Sequence, residues 1–418
     1  MRAAIARAME FPGLPVLPAG LSCLRHLGDR RMRKMLAALT LLVCAGAAPA
    51  PAPIRTLDGH RLTPAAIDGE VGRLMAAARV TGLGVALIRN GRVVFAKSYG
   101  KRDTAQGLPL ETDTVMYGAS LTKATVAWYV MQLVDEGRVD LDRPITAYLP
   151  KPLPEYEDYA DLAGDPRWRQ LTLRILLDHS SGFANLRRFE PDKKLHIHRD
   201  PGSRYGYSGE GLELAQFVLE KGLGLDTATE MQRRIFDRFG MHRTGMTWHD
   251  DFGANVALVY PEDSPGRVFK HRTRADAAGS LATTLDDWSR FFAAVARGEG
   301  LSRKARTAMV RRSIAIDSPS QFPTLLDART DQWRKIGLGY GIGWGVFETP
   351  YGHAFFKEGH DDGTSNYALC IDQRRDCILL LANDNHAEGI FLPLVDRLLG
   401  PVNLPWQWEG YRPYDQPA

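Results

Sequence analysis

The sequence predicts a mixed α/β fold, an antiparallel sheet flanked by helices with a largely helical lobe inserted in mid-chain. Three observations carry this. Two apolar β-type runs, Val85-Ala86-Leu87-Ile88 and Val93-Val94-Phe95-Ala96, flank an Asn90-Gly91 turn, a strong hairpin signal. Four more such runs (Gly343 to Phe347, Ala354 to Lys357, Tyr367 to Ile371, Ile378 to Ala382) lie near the other end of the chain. Between them, from about 125 to 270, helices and polar loops dominate. Strands at both ends imply one sheet built from N- and C-terminal parts, with a cleft beside the inserted lobe. We read a single domain over 54–418, with a sheet lobe of about 54–119 and 272–418 and a helical lobe of about 120–271.

The first fifty residues read differently. Arg31, Arg33 and Lys34 precede the apolar run Met35 to Val43, and small residues follow at Ala45, Ala47, Ala48 and Ala50. That is the pattern of a secretory leader, and it places the protein outside the cytoplasm, periplasmic or secreted. Met32 or Met35 would serve as an alternative start. Cys44 invites lipid anchoring, but Val43 before it fits such a cleavage poorly. The apolar run is too short to span a bilayer, so no integral membrane domain is expected. The leader also holds seven Lys/Arg against two Asp/Glu, leaving 46 against 47 in the rest of a chain whose formal net charge is +4. The mature protein is thus near neutral, and no nucleic-acid footprint remains.

After Pro49 to Pro53, apolar residues at Ile67, Val71, Leu74 and Met75 recur at helical spacing, and the hairpin follows. Residues 120–136 read as a helix with an apolar face of Val126, Val130, Leu133 and Val134, stopped by Gly137. Leu173 to Leu177, Leu212 to Glu220, Asp286 to Ala296 and a terminal segment near 388–399 are further helices. Cys370 and Cys377 would face each other if Ile371 to Asp376 forms a turn; a disulfide and two free thiols are both open readings.

The chemistry centres on Ser120-Leu121-Thr122-Lys123. A serine hydroxyl needs a neighbouring base to become a nucleophile, and spacing of three on a helix puts both side chains on one face. A second match, Ser98-Tyr99-Gly100-Lys101, lies at the end of a strand, where such spacing separates the side chains; it is read as an exposed strand end. Ser120 also has company: Tyr207-Ser208-Gly209 after Pro201-Gly202-Ser203-Arg204, and Lys357-Glu358-Gly359 ending a β-type run.

Taken together, these motifs make the chain resemble the serine β-lactamase and penicillin-binding protein superfamily, in the branch of class C β-lactamases, D-alanyl-D-alanine carboxypeptidases and related esterases. The resemblance spans most of 60–400. It includes Tyr117 to Lys123, Leu176 to Phe183, Ala278-Gly279-Ser280-Leu281 and Gly341-Ile342-Gly343-Trp344. It implies a β-lactamase/transpeptidase-like fold and a cofactor-free hydrolysis of an ester, amide or peptide through an acyl-enzyme on Ser120. Lys123 would activate Ser120, and Tyr207 would be a phenolate-like partner in proton transfer. Lys357 would bind a substrate carboxylate or lower the Tyr207 pKa. The N–H groups of Ser120 and of His360, just after Gly359, would form the oxyanion hole.

Two departures stand out. Gly209 replaces the family's Asn, and Glu358 replaces the Thr beside Lys357, adding negative charge where a substrate carboxylate would dock. Both point toward an esterase or D-peptidase and a weak β-lactamase at best. A true β-lactamase and a penicillin-acylated sensor that does not turn over are the alternatives. His179 is read as structural. His196-Ile197-His198-Arg199-Asp200 resembles a zinc pattern, but Pro201 stands where a further His is wanted, so no metal is assigned. Asp361-Asp362 after His360 has the form of an acidic pair for a cation, but is read as a solvated loop.

Overall fold

The computed structural model describes residues 52–416 apart from Asp263, and the leader expectations, Cys44 included, lie outside them. Short strands β1 (Ile54–Arg55) and β2 (Arg61–Leu62) pair ahead of α1 (Pro64–Ala78). Thr63 caps α1 by accepting the Ala66 N–H, and Ile67, Val71, Leu74 and Met75 form its buried face as their spacing requires. β3 (Gly82–Arg89) and β4 (Arg92–Asp103) make the expected hairpin, with Asn90 and Gly91 both at positive φ (49° and 73°), the geometry of a two-residue primed turn. Next come β5 (Leu108–Pro109), β6 (Met116–Tyr117) and α2 (Leu121–Asp135).

The middle of the chain holds α3 (Leu173–Leu177), α4 (Gly209–Leu223) and α5 (Thr227–Met231), joined by 3-10 turns and loops. β7 (Ala282–Thr283) pairs with β6 and leads into α6 (Leu285–Arg297) and α7 (Arg303–Val310). Strands β8 (Ile314–Ala315), β9 (Gly339–Tyr340), β10 (Gly345–Thr349), β11 (Gly352–Asp361), β12 (Thr364–Ile371) and β13 (Asp376–Ala382) follow, then α8 (Glu388–Leu398) and α9 (Trp406–Glu409).

Nine of these strands form one antiparallel sheet in the order β5-β4-β3-β13-β12-β11-β10-β9-β8, so β3 from the N-terminal part pairs directly with β13 from the C-terminal part. Side chains alternate between two cores. On β13, Cys377, Leu379 and Leu381 join the core that includes α2 and α6, while Ile378, Leu380 and Ala382 join the core of α1 and α8. Cys370 and Cys377 are register partners on the first of these faces and are disulfide-bonded, which resolves the open question toward the bond.

Two readings need correction. The expected single apolar face of the 120–136 helix is instead burial all round, including Thr122, Lys123, Thr125 and Gln132, because the sheet, α6 and the helical lobe enclose α2 from every side. Ser98 is half-buried within β4, which continues to Asp103, rather than exposed at a strand end. Lys101 does point away, its Nζ donating to the Gly107 carbonyl at 2.8 Å. No helix among the described residues is long and apolar enough to cross a membrane.

Candidate active site

Ser120 occupies the residue before α2, and Ala119 before it adopts φ 45°, an uncommon conformation for a residue with a Cβ. This sharp entry frees the Ser120 hydroxyl from capping the helix, the usual role of serine at such a position. Its Oγ faces a cleft of about 540 Å³ and accepts instead from Tyr207 OH at 2.8 Å. Lys123 Nζ lies 3.0 Å from the same Oγ, one turn along α2, and donates to the Ala278 carbonyl at 2.5 Å. The Ala278-Gly279 stretch thereby serves the site with backbone: the Gly279 carbonyl accepts from Tyr117 OH at 2.6 Å.

Burial, reinforced by the nearby positive charge of Lys357, brings the Lys123 pKa down to about 7. Tyr207 moves the other way. Burial first, then the charge of Glu358, drive its pKa well above the ordinary phenol value, against the Ser120 hydrogen bond that lowers it. The two shifts run in opposite directions: the Lys123 amine is made easier to deprotonate, and the Tyr207 phenol harder. Its ring lies between the two lysines, with Lys123 Nζ 5.0 Å and Lys357 Nζ 5.2 Å from its centre.

His179 fixes Tyr207 in place. The Gly206 N–H donates to the His179 carbonyl (2.7 Å) and the Ser208 N–H to His179 Nδ1 (3.2 Å), so the residues on either side of Tyr207 hang from one buried histidine. Burial holds its pKa well below the usual value, as an accepting Nδ1 requires. The structural reading of His179 agrees with this arrangement.

The other wall is β11. Its pairing with β10 stops at Phe356, and Lys357 to Asp361 run on bonded to β12 alone, leaving one edge of β11 turned from the sheet. Gly359 passes Gly118 so closely that a Cβ there would stand 2.8 Å from the Gly118 carbonyl, which is why this position is glycine. His360 lines the cleft, and its Nδ1 is 2.5 Å from Glu388 Oε1. Partial desolvation of this exposed ring disfavours its imidazolium, but the carboxylates of Glu388, Asp361 and Asp362 together outweigh that and raise the pKa.

Lys357 is fully buried and does not line the cleft; its Nζ donates to Glu358 Oε1 (2.7 Å) and to the Glu358 carbonyl (3.0 Å). Direct capture of a substrate carboxylate by Lys357, one of its two expected roles, is thus blocked by the neighbouring glutamate. Where the family has the side chain of Asn, Gly209 packs under Leu186 and Asn185: a Cβ would meet Leu186 Cδ2 at 3.0 Å, and the Gly209 N–H donates to the Asn185 carbonyl at 2.8 Å. Asp361 and Asp362 are exposed, as expected, but they line the cleft.

Sequence reasoning missed Asn185, Glu213, Gln321, Phe322, Glu409 and Tyr411, which also line the cleft. They come from five separate loops and helices with no shared motif, so no local signal marks them. His196 and His198 do not line it; each ring contacts its own loop carboxylate, Asp192 at 2.9 Å and Glu190 at 2.6 Å.

Comparison with known proteins identifies the fold and the family. Esterase EstB of Burkholderia gladioli is 24% identical over 359 residues, covering 70% of this chain and 88% of the esterase. Penicillin-binding protein 4 of Amycolatopsis lactamdurans is 25% identical over 329 residues, covering 71% and 79%. The fold matches the crystal structure of the D-alanine carboxypeptidase AmpC from Burkholderia cenocepacia with a TM-score of 0.63 at 18% identity, over 79% of this chain and 98% of that one. The family model described as Beta-lactamase matches residues 67–399, the segment that carries Ser120, Lys123, Tyr207 and the β11 edge, and the chain belongs to the beta-lactamase family.

Proposed function

We propose that this serine hydrolase works through an acyl-enzyme on Ser120 and turns over short-chain carboxylic esters in preference to cephalosporins. The observation that carries the reading is the convergence of Tyr207 OH and Lys123 Nζ on one serine oxygen, within 2.8 and 3.0 Å. Neutral Lys123 takes the Ser120 proton as Oγ bonds to the substrate carbonyl carbon. The N–H groups of Ser120, at the positive end of α2, and of His360, on the open edge of β11, are the donors for the oxyanion. Tyr207 protonates the departing alkoxide and is recharged by the Lys123 ammonium. Water then enters, gives its proton back along the same pair, and releases the acid and Ser120.

The ester preference rests on the second wall. A β-lactam presents a carboxylate, and here the lysine that would meet it is bonded to Glu358. Gly209 offers no amide to an acylamino side chain. A simple ester requires neither contact. Export, suggested by the leader, is supported by the Cys370–Cys377 disulfide. The test compares kcat/KM for p-nitrophenyl butyrate, nitrocefin and a D-Ala-D-Ala peptide. Ester turnover should exceed nitrocefin turnover. Nitrocefin hydrolysis near the diffusional range with barely detectable ester hydrolysis would make this a β-lactamase, and a penicillin label on Ser120 persisting for hours without turnover of any substrate would make it a sensor.

A further inference from the structure

Beyond the nucleophile the cleft runs past β11 into a corner made by Gln321, Phe322, Glu358, Glu409, Gly410 and Tyr411. Its two carboxyls are buried, at 5% and 6% exposure. Each is bonded through one oxygen only. Glu358 Oε1 accepts from Lys357 Nζ and from Gln321 Nε2 (2.8 Å), and Glu409 Oε1 accepts from Tyr367 OH (2.9 Å). The second oxygen of each, Glu358 Oε2 and Glu409 Oε2, is buried with no hydrogen-bond partner among the described residues. Buried acceptors are nearly always satisfied, so two unsatisfied ones in one corner mark a place for a donor from outside the protein.

Charge points to the kind of donor. Lys357 is bonded to Glu358, and Glu409 has no ion-pair partner among the described residues. Burial first, then the Glu358 charge, drive the Glu409 pKa well above the carboxyl range, against the Tyr367 hydrogen bond and the Lys357 charge that lower it. An incoming cation would relieve that conflict. Tyr411 and Phe322 line the cleft as well, and aromatic rings are surroundings that favour cations. Among the charged residues elsewhere on the cleft, Glu213, Asp276, Asp361 and Asp362 outnumber Arg188 and Arg272.

We propose that this corner is a cation subsite that takes a primary ammonium group of the substrate, donating to Glu358 Oε2 and Glu409 Oε2. The proposal rests on the reading of the cleft as a substrate site and adds the substrate class: esters or amides carrying a protonated amine. It places a cation where the resemblance expects a carboxylate.

The test uses three compounds of one shape, n-butylammonium, n-butanol and butyrate, as inhibitors of p-nitrophenyl butyrate hydrolysis at fixed ionic strength. Butylammonium should inhibit competitively and bind about tenfold or more tightly than butanol, as a charge-assisted hydrogen bond exceeds a neutral one. Butyrate should be the weakest. Equal potency of the amine and the alcohol, or a preference for butyrate, overturns the proposal. In Glu409→Gln the advantage of amine over alcohol should largely vanish; its full retention overturns the assignment to this corner. If that variant does not fold, Glu358→Gln and the wild-type ratio decide the same question. If the protein turns over no ester, calorimetric binding of the three compounds still tests the subsite, so its failure and that of the hydrolase reading are told apart.

Discussion

The two walls of the cleft are built on opposite principles. On the side of α2 and the segment entering α4 the reacting groups are one amine and two hydroxyls, each touching the next, with His179 and the Ala278 carbonyl holding them. The wall of β11 and the C-terminal segment is dense with charge: Lys357 is paired with Glu358 beside the buried Glu409, and His360 is paired with Glu388 nearer the surface. In the proposed mechanism the first wall moves a proton within hydrogen-bond reach, which demands fixed geometry. The second sets the electrical character of whatever binds. Changes on the first wall should therefore destroy rate, while changes on the second should shift preference and pH response.

The largest effect should come from Ser120→Ala. Ester turnover should fall by roughly 10⁴- to 10⁶-fold, and a fluorophosphonate label should disappear. Ser98→Ala, on β4 and away from the cleft, should keep both. Undiminished labelling of the Ser120 variant would break the division between the walls at its root.

Tyr207→Phe should come next. It keeps the ring between the two lysines and removes only the hydroxyl that donates to Ser120 Oγ. A loss of roughly 10²- to 10⁴-fold in kcat, with KM little changed, is the expected result for a proton-transfer group. Rate loss expressed mainly in KM would mean that Tyr207 belongs with the recognition wall.

A smaller effect sharpens the comparison by linking the walls. Lys123 acts as a base only when neutral, and its pKa is lowered to about 7, so kcat/KM should rise with pH through that value. The negative charge of Glu358 raises the pKa of both Lys123 and Tyr207. Glu358→Gln removes it, lowers both, and should displace the whole pH–rate profile toward acid, a gain of a few-fold at pH 6. A profile that stays fixed or moves toward alkali would show the walls to be electrically independent.

How much of this was legible beforehand follows the same line. The helix that carries Ser120 and Lys123, the Asn90-Gly91 hairpin and the face of α1 were readable because each rests on spacing within a few residues. Tyr207, far along the chain from Ser120, was readable through its motif and not through any local periodicity. The departures at Gly209 and Glu358 were visible as letters, but their consequences were not. That Leu186 and Asn185 fill the space over Gly209, and that Glu358 ties up Lys357, depend on where loops settle.

The sequence by itself determined the sheet-and-helix composition, the placing of Ser120 and Lys123 one turn apart, and the order of the motifs, because these are encoded in local periodicity and short-range chemistry. Only the tertiary structure decided the all-round burial of α2, the upward shift of the Tyr207 pKa, the retreat of Lys357 from the cleft and the acidic corner of Glu358 and Glu409. Each of these depends on desolvation and on charges brought together from distant segments. Burial is a property of the packed chain, and no residue carries it alone.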